Sequence, residues 1–483
     1  MRLAELVAAA EGARIAGDGA VEVSSLAYDS RKVEPGALFF CVPGEKVDGH
    51  EFAAVAVEAG AAALLVEREL DLDVAQAVVD DARAAMASVA ARFWGDPTDE
   101  LKVVGITGTN GKTTTAFLVR EILEEAGIGC GLLGTVKQVV GGAEEEVERT
   151  TPEAVDLQAT FRRMLEAGDR ACAMEVSSHA LALHRCDAIH FEVALFTNLT
   201  QDHLDFHGDM EDYFQSKRAL FAMGPRASIV NVDDPYGRRL AEEFDCVTFS
   251  AAGAEAGFTA HGVSFDARGA SFAVLGLGGE AQIQTALPGD FNVANALGAF
   301  AVATALGVDP QVAAAGLTRA GRAPGRFEPI DEGQGFAVLV DYAHTPDSLE
   351  NVLRAARRLT EGSLISVFGA GGDRDREKRP KMGRAGAELS DLAVLTSDNP
   401  RSESPEAIVA EVRAGIEDDS NVEVEVDRRT AIALAFDRAR PGDTVVIAGK
   451  GHEQGQEFER GRKIPFDDRE VAREELRKLG GRS

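Results

Sequence analysis

The sequence predicts an α/β protein of three domains. These are a small N-terminal α/β domain over residues 1–97, a central P-loop domain with a parallel sheet over 98–327, and a C-terminal doubly wound, Rossmann-like domain over 328–483. Three observations predict this. A chain of 483 residues is too long for one typical core. Apolar runs of strand length alternate with helical patterns through its second half. At residue 105 the apolar stretch LKVV opens onto a glycine-rich turn, GITGTNGKTTT, followed by a helical pattern.

The elements follow in order. MRLAELVAAAEGARIAG carries Glu5 and Glu11 inside its apolar pattern and reads as an amphipathic helix, not a signal peptide. EVSSLAYDSRKV and ALFFCVPG hold short strands, and the polar, Pro-containing WGDPTDE reads as a linker. LKVVGI is a strand, and KTTTAFLVREILEEAG a helix closed by Gly127. ACAMEVS and FEVALFTNL are strands ending in polar residues, the rhythm of a parallel sheet whose ligands gather at strand carboxyl ends. Beyond residue 328, AVLVDY, LISVFG, LAVLTS, VEVEV and TVVIAG read as strands. SLENVLRAARRL, RPKMGRAGAEL, SPEAIVAEVRAGI and RTAIALAFDRA between them read as helices, which implies βαβ crossovers.

Composition narrows the partners. Fifty Lys+Arg against 80 Asp+Glu give a formal charge of −30, which repels nucleic acid and anionic lipid, so an anionic ligand must be held by local cations or helix N-termini. The five cysteines include no CxxC pair, which argues against a disulfide framework or zinc site and fits a reducing cytoplasm. No segment approaches the ~20 uninterrupted apolar residues of a membrane span. The expectation is a cytoplasmic monomer with neither nucleic acid nor membrane as partner.

In the turn, Gly108, Thr109, Asn110, Gly111, Lys112, Thr113 and Thr114 match the second half of a P-loop. Glycines let backbone N–H groups approach phosphate oxygens, Lys112 adds a positive charge, and a hydroxyl after it can ligate Mg²⁺. Strict spacing would put a glycine at Ile106, so the loop is a variant. The strand before it and helix after it supply the context that a nucleoside triphosphate site requires. VFGAGGDRD also follows a strand, but Gly369, Gly371 and Gly372 do not fit a dinucleotide fingerprint.

Three further stretches carry chemistry. MEVSSHAL puts Glu175 at a strand end, TNLTQDHLDFHG puts Asp202 and His203 in the next loop, and DYFQSKRALF puts Lys217 on a helix. Singly, these read as a surface acid, a turn and a solvated lysine. Together with GTNGKTT, in this order and at these separations, they resemble the Mur ligase family, which joins amino acids to a peptidoglycan precursor at the expense of ATP. The resemblance implies a central ATPase domain and assigns roles. Lys217 becomes a CO₂-derived carbamate, an oxygen ligand of the type Mg²⁺ prefers. Thr114 and Glu175 hold one Mg²⁺, and His203 helps hold a second. Lys112 acts with these on the phosphates. Asn295 contacts adenine, while Arg326, Asp341 and His344 lie near ribose and phosphates.

Within the family, the N-terminal piece and acceptor motifs resemble the members that extend UDP-N-acetylmuramoyl-L-alanyl-D-glutamate. That resemblance places Ser30 near uridine, Thr150 and Thr151 at the peptide and sugar, and Ser177 and Arg185 at the D-glutamyl end. Leu183 stands where some members carry Gln. TSDNPRSE matches the DNPR loop of relatives that add meso-diaminopimelate, whereas lysine-adding relatives lack the arginine. Arg401 would clamp the distal carboxylate through two parallel hydrogen bonds. Asp398 and Asn399 would hold the adjacent ammonium, and Arg374, Gly449 and Glu453 complete the pocket. Read without the family, DNPR is equally an N-cap turn before SPEAIV. Alternatives are a lysine-adding relative, a folylpolyglutamate synthase-like ligase, or a non-catalytic nucleotide-dependent switch. No histidine is assigned as base for the incoming amine.

Overall fold

The structure, a computed structural model, describes residues 1–480 except 45–46, 148, 267 and 277–278. Its chain forms two compact units. The first comprises Met1–Thr107, Ile128–Ala194 and Ser216–Ala227; the second comprises Gly108–Gly127, Leu195–Gln215 and Ser228–Ser483.

The first unit opens with a five-stranded sheet in the order Arg14–Ala16, Ala75–Val78, Ala63–Val66, Ala37–Phe40, Ser25–Ala27. All neighbours are parallel except the edge pair Arg14–Ala16 with Ala75–Val78. The N-terminal helix is shorter than its pattern predicts. It covers only Leu3–Val7, burying Leu3, Leu6 and Val7, because Gly12 turns at φ 70° and the chain then joins the sheet as strand Arg14–Ala16. WGDPTDE is not an open linker either. Pro97–Asp99 forms a 3₁₀ turn with Pro97 and Thr98 buried, and Thr98 Oγ1 accepts from His190 N at 3.1 Å. A second sheet follows. Strand β1 (Lys102–Thr107) and β2 (Cys130–Leu133) flank β3 (Ala171–Glu175) in parallel, and β2 continues into an antiparallel hairpin.

In the second unit, helix α1 (Lys112–Glu125) packs on Asp290–Ala305 and Pro310–Arg319. An antiparallel meander, Phe258–Asp266, Gly269–Gly276 and Gly279–Thr285, precedes that helix pair; the sequence pattern did not predict it. The C-terminal alternation then folds as predicted. Strands β4 (Ala337–Asp341), β5 (Leu364–Phe368), β6 (Leu392–Leu395), β7 (Val422–Val424) and β8 (Thr444–Ala448) form a parallel sheet in the order β4-β8-β5-β6-β7. Helices α2 (Pro346–Leu359), α3 (Lys378–Leu389) and α4 (Pro405–Arg413) cover one face, with Leu349, Leu353, Met382 and Ile408 packed on Leu339, Phe368 and Leu395. Helices α5 (Arg428–Arg438) and α6 (Asp468–Gly480) cover the other, with Ile432, Phe436 and Val471 on Val340, Val367 and Ile447. Alternate strand residues serve opposite faces, the period-two consequence of pleating. Each such buried Leu, Val or Phe contributes ~1.5–3 kcal/mol. Because β8 inserts between β4 and β5, the loops after β4, β5, β6 and β8 leave the sheet at one edge, where a doubly wound sheet collects ligands.

Candidate active site

The phosphate loop is fixed from below. Gly108 has φ 148° and Gly111 φ 87°, and a Cβ would meet Thr197 Oγ1 at 1.9 Å and Asn295 Oδ1 at 2.3 Å respectively. No side chain larger than hydrogen fits either place, and Gly111 at the N-cap of α1 leaves the helix N-terminus open to an anion. Asn110 is held on three sides. Its N–H donates to Asn198 Oδ1 at 2.9 Å, its carbonyl accepts from Thr197 Oγ1 at 2.7 Å, and its Nδ2 donates to Asp347 Oδ2 at 2.8 Å. Lys112 Nζ donates to the Gly108 and Thr109 carbonyls, each at 2.8 Å, so it lies folded along the loop.

The residues expected at base and ribose are partly spent on structure. Asn295 is buried beside Gly111, with Nδ2 donating to Asn292 Oδ1 at 3.2 Å. Arg326 Nη2 donates to Thr113 Oγ1 at 3.0 Å, and its guanidinium stacks 4.5 Å from the Tyr342 ring centroid. Asp341, the last residue of β4, accepts from Phe327 N at 2.6 Å and Ala343 N at 2.8 Å; burial pushes its carboxyl above the usual range despite Arg326. His344 lies 3.7 Å from Asp202 Oδ2, and His203 Nε2 lies 3.3 Å from the same atom. Lys378 on α3, buried like Asp202, completes this cluster at 3.3 Å from Asp202 Oδ1. Burial would raise the Asp202 carboxyl, but Lys378, His203 and His344 outweigh it and hold it well below its ordinary value. His203 itself sits at φ 56°, a backbone region costly for a non-glycine residue.

In the first unit, Glu175 ends β3 and is buried. Its carboxylate accepts from Thr135 N at 2.7 Å and Thr135 Oγ1 at 3.2 Å, and Thr135 Oγ1 lies 3.0 Å from Thr150 Oγ1. Thr151 Oγ1 donates to the Glu175 carbonyl at 2.8 Å and accepts from Ser177 N at 3.1 Å. Ser177 caps the next short helix through Ala180 N. Arg185 donates to the Thr151 carbonyl at 3.1 Å and pairs with Glu153 at 2.8 Å; Arg83 and Arg149 also reach Glu153. Three guanidiniums around one carboxylate leave a local excess of positive charge in an acidic chain. Five expected residues, Thr150, Thr151, Glu175, Ser177 and Arg185, therefore share one network. Ser30 starts a 3₁₀ turn in the same unit, half-buried. Lys217 lies on helix Met210–Ala222, and its side chain is buried, not solvated.

The DNPR loop leaves β6 in the second unit. Asn399 Nδ2 donates to Glu453 Oε2 at 2.8 Å, while its Oδ1 accepts from the buried Lys450 at 2.8 Å and Glu457 N at 2.9 Å. Arg401 adopts φ 50°; its Nε donates to Glu457 Oε2 at 3.0 Å and its Nη1 to the Gly372 carbonyl at 2.8 Å. Arg374 is exposed, and a Cβ on Gly371 would lie 3.8 Å from Arg374 Cγ and 3.0 Å from Arg401 Nη1, so both arginines border the same glycine. Asp398 is buried, with Oδ1 accepting from Asn399 N at 2.6 Å and Oδ2 without a hydrogen-bond partner among the described residues. Burial alone would raise its carboxyl; Lys450 and Arg428 outweigh that and hold it below the usual range. Gly449 (φ 124°) gives it room, since a Cβ there would lie 2.4 Å from Asp398 Oδ2.

Three segments match models of one family: the Mur ligase catalytic domain over residues 22–94, the Mur ligase middle domain over 106–303 and the Mur ligase glutamate ligase domain over 325–451. A UDP-N-acetylmuramoyl-L-alanyl-D-glutamate–2,6-diaminopimelate ligase of Streptomyces coelicolor is 49% identical, covering 96% of this chain and 94% of its own. The chain belongs to the Mur ligase family. A Clostridium tetani ligase of the same name is 42% identical, covering 99% of this chain and 100% of its own. A solved structure of a diaminopimelate ligase so named superposes with TM-score 0.71 at 32% identity, over 99% of each chain.

Residues the sequence did not single out hold this Mur ligase's pockets together. Lys450 sits between Gly449 and Gly451 just past the end of β8, and a lysine between two glycines at a strand end was the available signal. Asp347, Glu457, Arg379 and Lys378 gave no local signal, because each acts across a fold contact. Among the described residues, no group of three His, Cys, Asp or Glu side chains is placed to hold a metal ion, and no helix is long and apolar enough to cross a membrane.

Proposed function

We propose that this Mur ligase adds meso-2,6-diaminopimelate to the D-glutamyl carboxylate of UDP-N-acetylmuramoyl-L-alanyl-D-glutamate, with ATP cleaved to ADP and phosphate, in peptidoglycan biosynthesis. The observation that carries the amino-acid choice is the DNPR loop, in which Arg401 stands beside Gly371 while Asp398 keeps one carboxylate oxygen unpartnered. A diamino diacid offers both a carboxylate for the guanidinium and an ammonium for the acid; lysine lacks the distal carboxylate. Of the fork of Arg401, Nε and one Nη1 hydrogen are taken, so the Nη1/Nη2 edge has donors left for a bidentate carboxylate. A pocket built to pair such a group rejects the analogue lacking it by ~10⁴-fold or more.

The roles of the domains follow the resemblance: residues 1–97 take the UDP end, 98–327 the ATP, and 328–483 the amino acid. The triphosphate lies along residues 108–114, with α1 presenting backbone N–H groups and Lys112 leaving its loop carbonyls for phosphate oxygens. The γ-phosphoryl passes to the D-glutamyl carboxylate, giving an acyl phosphate, whose carbonyl the amine attacks as phosphate departs. Such transfers rest on positioning and charge stabilisation. Thr150, Thr151, Ser177 and Arg185 orient the acceptor; Arg326, Asp341 and His344 frame the nucleotide, and Asn295 supports the loop beneath it.

By the resemblance, the family's Mg²⁺ ligands would be Thr114, Glu175, His203 and Lys217. The residues suit the ion. Glu175 is a carboxylate already oriented by Thr135, and Lys217 is buried, where a carbamate would be an oxygen ligand. When bound, Mg²⁺ offsets negative charge on the phosphoryl oxygens. The protein is proposed to work as a cytoplasmic monomer.

The test is direct. Protein, ATP, Mg²⁺ and UDP-N-acetylmuramoyl-L-alanyl-D-glutamate are incubated with meso-diaminopimelate, with lysine or with neither, and phosphate release is followed. Release dependent on diaminopimelate is expected. Equal rates with lysine would make this a lysine-adding or unselective relative, and no release with any amine would favour a nucleotide switch.

A further inference from the structure

Behind the amino-acid pocket lies a buried ion pair that the reaction as derived does not use. Arg428 is the first residue of α5 and Asp468 the first of α6, and neither side chain has any solvent exposure. The pairing is bidentate, Nε to Oδ1 at 2.8 Å and Nη2 to Oδ2 at 2.7 Å. Burying two charges costs several kcal/mol per ion before their attraction is counted, and an apolar pair of similar volume is often as stable or more so. Arg428 also stands at a helix N-terminus, the end that disfavours a cation. Stability alone is therefore a poor account of the pair.

Its remaining donors point to another. Arg428 Nη2 donates to the Ala448 carbonyl at 2.9 Å and Nη1 to the Ser397 carbonyl at 3.3 Å. Ala448 ends β8, and Ser397 lies two residues past the end of β6; the residues that follow them are Gly449 and Asp398. A Cβ on Gly449 would lie 2.4 Å from Asp398 Oδ2 and 3.6 Å from Arg428 Nη2, so the guanidinium backs directly onto the two. Gln456 Nε2 braces the same turn, donating to the Asp398 carbonyl at 2.7 Å and Ser397 Oγ at 3.2 Å. One guanidinium, held flat by Asp468, thus ties together two separate strand ends, each one residue from a pocket residue.

We infer that the Arg428–Asp468 pair is a positioning element of the amino-acid pocket, registering Asp398 against Gly449 so that the buried Asp398 Oδ2, without a hydrogen-bond partner among the described residues, is kept for an ammonium group of the incoming diamino acid. The inference rests on the ligase reading above. The charge of Arg428 has a second effect in the same direction, since together with Lys450 it favours the ionised Asp398 that an ammonium requires.

The test compares wild type with the double variant Arg428→Met/Asp468→Leu, which removes both charges at similar volume, and with Asp468→Asn, which keeps the shape and leaves Arg428 less firmly held. Thermal unfolding and steady-state kinetics are measured for each substrate. The double variant is expected to stay folded, with KM for meso-diaminopimelate raised roughly tenfold or more, as for loss of charge-assisted hydrogen bonds. KM for ATP and for the UDP-linked acceptor should be unchanged, and kcat at saturation largely kept. Asp468→Asn should raise the same KM by a smaller factor. A folded double variant with unchanged KM for diaminopimelate overturns the inference, as does one in which all three KM values rise together. Should the double variant fail to fold, an Asp468→Asn protein with wild-type KM overturns it instead. A wild-type protein that turns over no diaminopimelate fails the ligase reading itself, and the inference falls with it.

Discussion

The proposed phosphate loop and the proposed amino-acid pocket are built differently. The loop spans seven consecutive residues, 108–114. Its supports are mostly neutral: Thr197 and Asn198 on Asn110, and Asn295 beneath Gly111, with the acid Asp347 on Asn110 Nδ2. The pocket draws on five separate segments, after β5, β6 and β8 and at the starts of α5 and α6. It is held by charge, with Lys450, Arg428 and Arg379 all buried and each paired with acids. A phosphate is the same in every nucleotide, so a local device suffices to bind it. An amino acid must be told from its analogues, which takes charged groups fixed in three dimensions. Fixing them beside one another requires buried counter-charges.

The contrast can be broken at either end. The largest effect is expected from Lys217→Ala, which should abolish ligation with no rescue by bicarbonate, although the residue belongs to neither region; turnover near the wild-type rate would refute the carbamate. Lys112→Ala should cost ~10²–10³ in kcat while leaving KM for diaminopimelate in place. If that KM moved equally, the two regions would not be separable. Arg401→Ala does the converse. Loss of a buried charge-paired contact typically costs ~2–5 kcal/mol, tens- to thousands-fold in binding, here of diaminopimelate alone; titration calorimetry with each ligand would read it.

The smallest effect concerns pH. Arg379, buried under the pocket loop with Nη2 on the Gly371 carbonyl, holds the Glu403 carboxyl down at about 2 from 4.5. A folded pKa below the unfolded one means that Glu403 stabilises fully above about 4.5 and that this contribution is lost as pH falls towards 2. Glu403→Gln should therefore lose less stability than wild type between those values. Parallel denaturation midpoints at pH 4.5 and 3 would decide it, and parallel falls would sever Glu403 from the acid limb.

Legibility in the sequence followed the same division. GTNGKTT announced itself because turn, cation and hydroxyl are contiguous, and the C-terminal strands did so because alternation with helices is periodic. The helix expected at the N-terminus was cut short because the strand Arg14–Ala16 finds a partner in Ala75–Val78, a pairing no local pattern contains. The meander over 258–285 was missed for a related reason. Its strands pair antiparallel with one another, a pairing no local pattern contains, between segments that read as strand and helix of a parallel rhythm. Among site residues, Lys217 read as solvated by itself and is buried; only its neighbours in space make that difference.

What the sequence by itself determined is the family's chemistry: a triphosphate loop, an acid, an imidazole and a lysine in fixed order, and a DNPR loop after a strand. Each is a property of a short stretch, set by residue type and local backbone. Only the tertiary structure decided which side chains are paired and which are left open. It put Arg428 and Asp468, 40 residues apart, behind Asp398, spent one edge of Arg401 on Glu457, and left one oxygen of Asp398 without a hydrogen-bond partner among the described residues. The physical reason is that a buried charge is stable only in the company of others, and that company is assembled by packing strands and helices distant in the chain.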